Sequence, residues 1–174
     1  MALLISRLVL LYVMVTATAS SLIALQAAGN PLEYQVKAAF LFNFLKFVDW
    51  PLPPQGGPWV IGVLGKDPFM NSLEDIVLGK TVNGRAVIVR HYAHTADVRN
   101  CHILFVPLTE FKHVGNLGLP GVLTVGETAG FLEAGGVINF TLTDSKIHFE
   151  ANAQAAQAAG LHVSAQLLHL GGAK

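Results

Sequence analysis

Gly65-Lys66-Asp67 and Gly126-Glu127-Thr128 each close a short apolar run, and they are the polar groups of this chain best placed for chemistry. In an open parallel sheet, ligands sit beyond the carboxyl ends of the strands, near the point where strand order reverses. Gly65, Lys66, Asp67 and Glu127 are therefore the candidate lining of a small-molecule cleft, with Pro107 and Thr109 at the end of a third run. The glycine spacing matches neither a dinucleotide loop nor a phosphate loop. Asp67 also stands where it can cap a helix that Pro68 would begin. A capping carboxylate opposes an anion at that position, so cap and ligand contact are competing readings of Asp67.

Other reactive side chains do not assemble into a recognisable set. Among seven histidines, His91-x-x-His94 comes closest to ligand spacing. It lacks the cysteine or carboxylate partners that a zinc site needs, so no metal and no other cofactor is expected. Ser164 sits in no nucleophile elbow and is better read as the cap of a final helix. No nucleophile is paired with a base and an orienting acid. The residues point to a binding domain, with no catalytic residue and no enzyme activity. The single cysteine, Cys101, excludes an intrachain disulfide. It precedes an apolar strand and reads as a buried thiol or, alternatively, an intermolecular bridge.

The elements that must position these groups follow from the apolar pattern. Glu33 to Pro51 reads as one helix, preceded by Pro31 and blocked by Pro51. Its apolar residues lie nearly all round: Val36 and Phe47 on one side, Phe40 and Phe44 beside Glu33 and Lys37, Phe42 opposite. Such a helix is either a central core helix or one that also meets a partner chain. Strands are expected at Trp59–Leu64, Ala86–His91, His102–Val106 and Gly121–Val125, with a helix from Pro68 to Leu78 and a helix or loop over Thr109–Leu117. Val137–Leu142, the turn Thr143-Asp144-Ser145, and Lys146–Ala151 read as a hairpin. A helix over Ala153–Ala159 stops at Gly160, and a short one from Ser164 to Leu170 ends the domain. The expected fold is α/β: a mostly parallel sheet flanked by helices on both faces, with a C-terminal antiparallel hairpin edge.

Residues 1–29 have the layout of a secretory signal: Arg7, an apolar run from Leu8 to Val15, then small residues around Ala17–Ser20. A retained membrane anchor is the competing reading. The expected organisation is a signal peptide over 1–29 and a single domain over 30–174. Basic and acidic residues balance at 11 each, and no basic block exists. That leaves no electrostatic footprint for nucleic acid. With 52% apolar and only 13% charged residues, some apolar surface is expected to be covered by a partner.

The run Tyr34 to Pro51 resembles the opening of the YfiR-like periplasmic proteins. So do Ile61-Gly-Val-Leu-Gly65-x-Asp-Pro-Phe69, Asn100-Cys-His-Ile-Leu-Phe105, and Val122-Leu-Thr-Val-Gly126 with Gly130-Phe131. Gly135-Gly-Val-Ile-Asn-Phe140, Ile147-His-Phe-Glu-Ala-Asn152 and Gly160-Leu-His-Val-Ser-Ala-Gln-Leu-Leu168 continue the match in order. The resemblance implies a periplasmic, dimeric, non-catalytic α/β protein. It would bind the periplasmic domain of an inner-membrane diguanylate cyclase, hold it inactive, and so restrain cyclic di-GMP and biofilm formation. Family members with disulfides use cysteine pairs, and this chain has only Cys101. Combining residues with resemblance, Phe40 and Phe44 are candidate partner anchors. Glu150 and Asn152 are candidates on the last strand, with Gln166 on the final helix. Internal hydrogen bonding that locks this helix onto the sheet is the alternative role for these polar groups.

Overall fold

The computed structural model describes residues 30–50 and 57–171, so the expectations for the leader and for the proline-rich connection after Trp50 lie outside the described residues. Helix α1 runs Pro31–Phe44, with proline at its first position, where the missing N–H costs nothing. The helix expected to reach Pro51 stops seven residues earlier. Lys46 and Phe47 donate back to the Asn43 and Phe44 carbonyls, and Val48–Asp49 becomes strand β1. Two pulls end it: Pro51 biases the residue before it to extended backbone, and a strand near the C-terminus supplies pairing partners. That strand, β9 (His162–Val163), pairs antiparallel with β1, Val48 opposite Val163.

The main sheet has seven strands in the order β3-β4-β2-β5-β6-β7-β8. Strands β2 (Trp59–Leu64), β4 (Arg85–Tyr92), β5 (Ile103–Val106), β6 (Leu123–Gly126) and β7 (Ile138–Thr143) run parallel. β8 (Lys146–Ala151) returns antiparallel on β7 through a two-residue turn, Asp144 and Ser145 both at positive φ. At the opposite edge, β3 (Thr81–Val82) forms a second hairpin with β4 around Asn83-Gly84. This hairpin is absent from the sequence reading, although Asn83-Gly84, between Val82 and the run that Arg85 opens, is its signal. From β2 the sheet grows to one side through β4 and to the other through β5, so strand order reverses between β2 and β5.

The α-helices gather on one face. α1, α2 (Ser72–Val77), α3 (Ala153–Ala158) and α4 (Ala165–Leu170) all contribute to the larger core, with Leu41, Phe44, Leu73, Ala156 and Leu167 buried against Ile61, Val63, Ile103 and Phe105. The other face carries a smaller core around Leu104, Val106, Leu117, Val122 and Phe131. Its cover is loops and the 3-10 turn Phe111–His113, so the segment expected as helix or loop over Thr109–Leu117 keeps a single tight turn. α2 is shorter than the expected Pro68–Leu78 because Asp67 Oδ1 accepts from Phe69 N–H in a local turn, and Met70 and Asn71 then adopt positive φ. Asn152 and Ser164 cap α3 and α4, each side-chain oxygen accepting from the amide three residues on. Among the described residues, no helix is long and apolar enough to cross a membrane.

Candidate functional site

The carboxyl ends of β2, β5 and β6 do converge, and α1 lies across them. Its stripe Lys37, Leu41, Phe44 follows the i, i+4, i+7 spacing of a buried face. Lys37 is only 4% exposed. Its Nζ donates to Glu127 Oε2 at 2.6 Å and to Glu33 one turn back on the same helix. Glu127 Oε1 accepts from Tyr34 Oη at 3.2 Å and from the Leu108 amide at 3.0 Å. The Tyr34 ring meets Phe69 edge-on at 5.5 Å, with Lys37 Nζ 4.7 Å from its centroid. Burial, then the Glu127 charge, drive the Tyr34 phenol well above its ordinary pKa. Tyr34 therefore stays neutral and donates. Both Glu127 oxygens are engaged within the protein, and the arrangement fastens α1 to the strand ends.

The other cleft candidates are placed as follows. Gly65, at positive φ, donates its amide to the Tyr92 carbonyl, and a side chain there would run into the Glu110 carboxylate. Lys66 is exposed, and Asp67 spends one oxygen on the Phe69 amide. Asp67 also meets Glu74 and His91: one ligand atom from each lies within 4.8 Å of the others, and Glu74 Oε1 is 3.0 Å from His91 Nε2. These three, from a loop, α2 and β4, are residues that could hold a metal ion; His94 is not among them. The sequence reading paired His91 with His94 because it saw spacing along the chain and not the approach of α2 to β4.

The partner candidates divide by burial. Phe44 is 1% exposed, its ring packed on Phe140 and Phe149. Phe40 is half-buried against the same two rings. Asn152 lies one residue beyond β8, where its Oδ1 caps α3 and its Nδ2 donates to the Leu132 carbonyl. Glu150 is half-buried on β8, and Gln166 is exposed on α4. Cys101 is buried, its thiol donating to the Ile103 carbonyl, and burial pushes its pKa up to about 12. A thiol so placed is protonated and unreactive.

Sequence reasoning missed Tyr34 and Lys37 as a unit with Glu127. The available signal was a lysine in phase with Leu41 and Phe44 and one turn after Glu33. It also missed Trp50 and His102. His102 Nδ1 accepts from the Val60 amide at 3.1 Å, and its ring stands 4.6 Å from Trp59 and 5.9 Å from Trp50. Burial, and secondly the Arg85 charge, lower the His102 pKa to about 4. Residues 34–172 match a family model described as YfiR/HmsC-like. A search of curated proteins gives no match.

Proposed function

The chain belongs to the YfiR/HmsC-like family, and from that premise we propose that it is an exported, non-enzymatic regulator. It binds the periplasmic domain of an inner-membrane diguanylate cyclase and represses it, lowering cyclic di-GMP. The observation that carries this reading is the family match over nearly the whole domain. The geometry supports it: the carboxylate at the strand ends, Glu127, is bonded to Lys37, Tyr34 and the Leu108 amide. That is a scaffold's use of polar groups.

Repression across a membrane requires tighter binding to the inactive cyclase than to the active one, since equal affinity shifts nothing. A differential of about 5.5 kcal/mol takes a two-state partner from 99:1 to 1:99. Of the candidate contacts, Phe44 supports the surface from within, and half-buried Phe40 and exposed Gln166 are offered to the partner or to a second copy of the chain, with Glu150 on β8 as a further candidate. Phe149 links them, since its ring touches Phe40 and would meet any side chain added at Gly171, just beyond α4. The test is genetic and then biochemical. Deleting the gene raises cyclic di-GMP and surface attachment, and deleting the partner cyclase as well abolishes the rise. Exchanging exposed Gln166 for arginine leaves the protein folded and weakens its binding to the purified cyclase ectodomain. Unchanged cyclic di-GMP after deletion, across several growth conditions, overturns the repressor reading.

A further inference from the structure

Strand β4 is eight residues long, but its outer neighbour β3 has only two. The hairpin pairs Thr81 with Ala86 and Val82 with Arg85, and a last bond runs from the Val87 amide to the Lys80 carbonyl. Beyond Val87 the strand is the edge of the sheet. Backbone groups alternate in direction along a strand, as side chains do. The Val87 amide points outward to Lys80, and the Tyr92 carbonyl points inward to the Gly65 amide that follows β2. Val89 and His91 therefore turn N–H and C=O outward, while Ile88 and Arg90 turn theirs to β2. Among the described residues, no backbone hydrogen bond is made to the outward groups of Val89 or His91.

This half of β4 is accessible: Arg90 and His91 are exposed, and Ile88 and Val89 are half-buried. On one face α2 approaches, with Glu74 bonded to His91 and Ile76 packed on the same core as Val89. On the other, Ile88 belongs to neither core, and Arg90 neighbours the Tyr92 phenol and forms no salt bridge among the described residues. Unpaired edge groups are a template for a further strand. Charge decides against a second copy of this chain. The symmetric antiparallel register that uses both Val89 and His91 sets Arg90 directly opposite its own counterpart, and like charges there are destabilising. Other symmetric registers use only one of the two residues, because Val87 is already committed to Lys80. A strand with a carboxylate at that place gains what the copy loses, and its residue two positions away falls opposite Ile88 on the same face. We propose that the open half of β4 binds an extended segment of another protein, in which an acidic residue faces Arg90 and an apolar residue two positions away faces Ile88. The site lies at the opposite edge of the sheet from β8 and stands whether or not the domain represses a cyclase.

Alternation along β4 makes the test internal. In ¹⁵N–¹H spectra of the purified protein, amide hydrogen exchange should be fast at Val89 and His91 and slow at Ile88 and Arg90. The probe is a capped peptide, acetyl-Thr-Val-Thr-Glu-Thr-Val-Thr-amide, whose valines flank the glutamate at two positions on either side, so that it fits in either direction. Filling nine-tenths of the sites should slow exchange at Val89 and His91 by about tenfold and leave Ile88 and Arg90 as they were. Replacing the glutamate of the peptide with lysine should weaken binding about fivefold or more. Arg90→Glu should reverse that preference. Val89→Pro, which removes an outward N–H and no bond to β2, should abolish binding of both peptides. Unchanged exchange at Val89 and His91 in millimolar peptide overturns the proposal. So does equal binding of the glutamate and lysine peptides, or slow exchange at Val89 and His91 before any peptide is added. These readouts on the unaltered protein decide the matter even if a variant fails to fold.

Discussion

Lys37 brings a charge into the buried face of α1, and Glu127 is what makes that tolerable. Removing one member of a buried pair strands the other, at about 3–5 kcal/mol, whereas replacing both with neutral groups of similar shape can be nearly neutral. Lys37→Met should therefore lower unfolding free energy by several kcal/mol. Adding Glu127→Gln should recover much of the loss, because an amide oxygen in the Oε1 position still accepts from Tyr34 and the Leu108 amide. Urea titration of both variants checks this; a double variant no more stable than Lys37→Met would show that the pair is not coupled. His102 gives a second prediction at this scale. Its pKa is about 4 in the folded protein and near 6.5 when exposed, so the unfolded chain binds more protons between those values. Its contribution is complete above pH 6.5 and falls on acidification toward pH 4, with a slope of up to about 1.4 kcal/mol per pH unit. His102→Gln, which keeps an acceptor for the Val60 amide, should remove that component from the pH dependence of urea-derived stability.

The element that depends most on close approach is the turn after β6. The Phe131 ring lies between Gly126, the last residue of β6, and Gly136, just before β7; a side-chain carbon at either would collide with it. Phe131 is fully buried and belongs to the smaller core, which lacks an α-helix to redistribute strain. Gly126→Ala should therefore destabilise by about 1–3 kcal/mol, the usual range for overpacking. Denaturant midpoints would show it, and Phe131→Leu in the alanine background should restore part of the loss. Legibility in the sequence follows the same physics. Trp59–Leu64 and Lys146–Ala151 could be read to the residue because runs of apolar residues and a tight polar turn are local signals. α1 was read too long because what ends it, pairing of Val48 with Val163, comes from more than a hundred residues away. The helical cover expected on the second face is a single turn because Phe111, Val114 and Leu117 can bury themselves without a full helix. At the candidate site, Glu127 was legible as a strand-end acid. Its partners and the Trp50–His102 pair were not, since nothing along the chain marks which distant side chains will meet.

At the scale of the molecule, the two ends of the described domain are tied together. β1 follows α1 at the start, β9 precedes α4 at the end, and they form their own small sheet. Ser164 donates its amide to the Phe47 carbonyl, and Leu167 is buried in the same core as Leu41 and Phe44. Gly171 closes on the Phe149 ring, which in turn holds Phe40 and Phe44. The last segment is therefore part of the wall that holds α1 down, and α1 carries the Lys37 that neutralises Glu127. A chain ended at Gly160 keeps all seven strands of the main sheet but loses β9 and α4. If the sheet were an independent unit, that truncation would fray one corner and leave a cooperative melt a few degrees lower. The packing argues otherwise: β1, which follows α1, would lose its partner β9, and Phe149 would lose its cover, and two-state behaviour depends on such shared contacts. The expected result is coincident far-ultraviolet dichroism and tryptophan fluorescence transitions in the intact protein. The truncated chain should give a broad, weakly cooperative melt, with Cys101 newly open to thiol reagents. A sharp transition with Cys101 still protected would mean that the sheet folds without its C-terminal clasp.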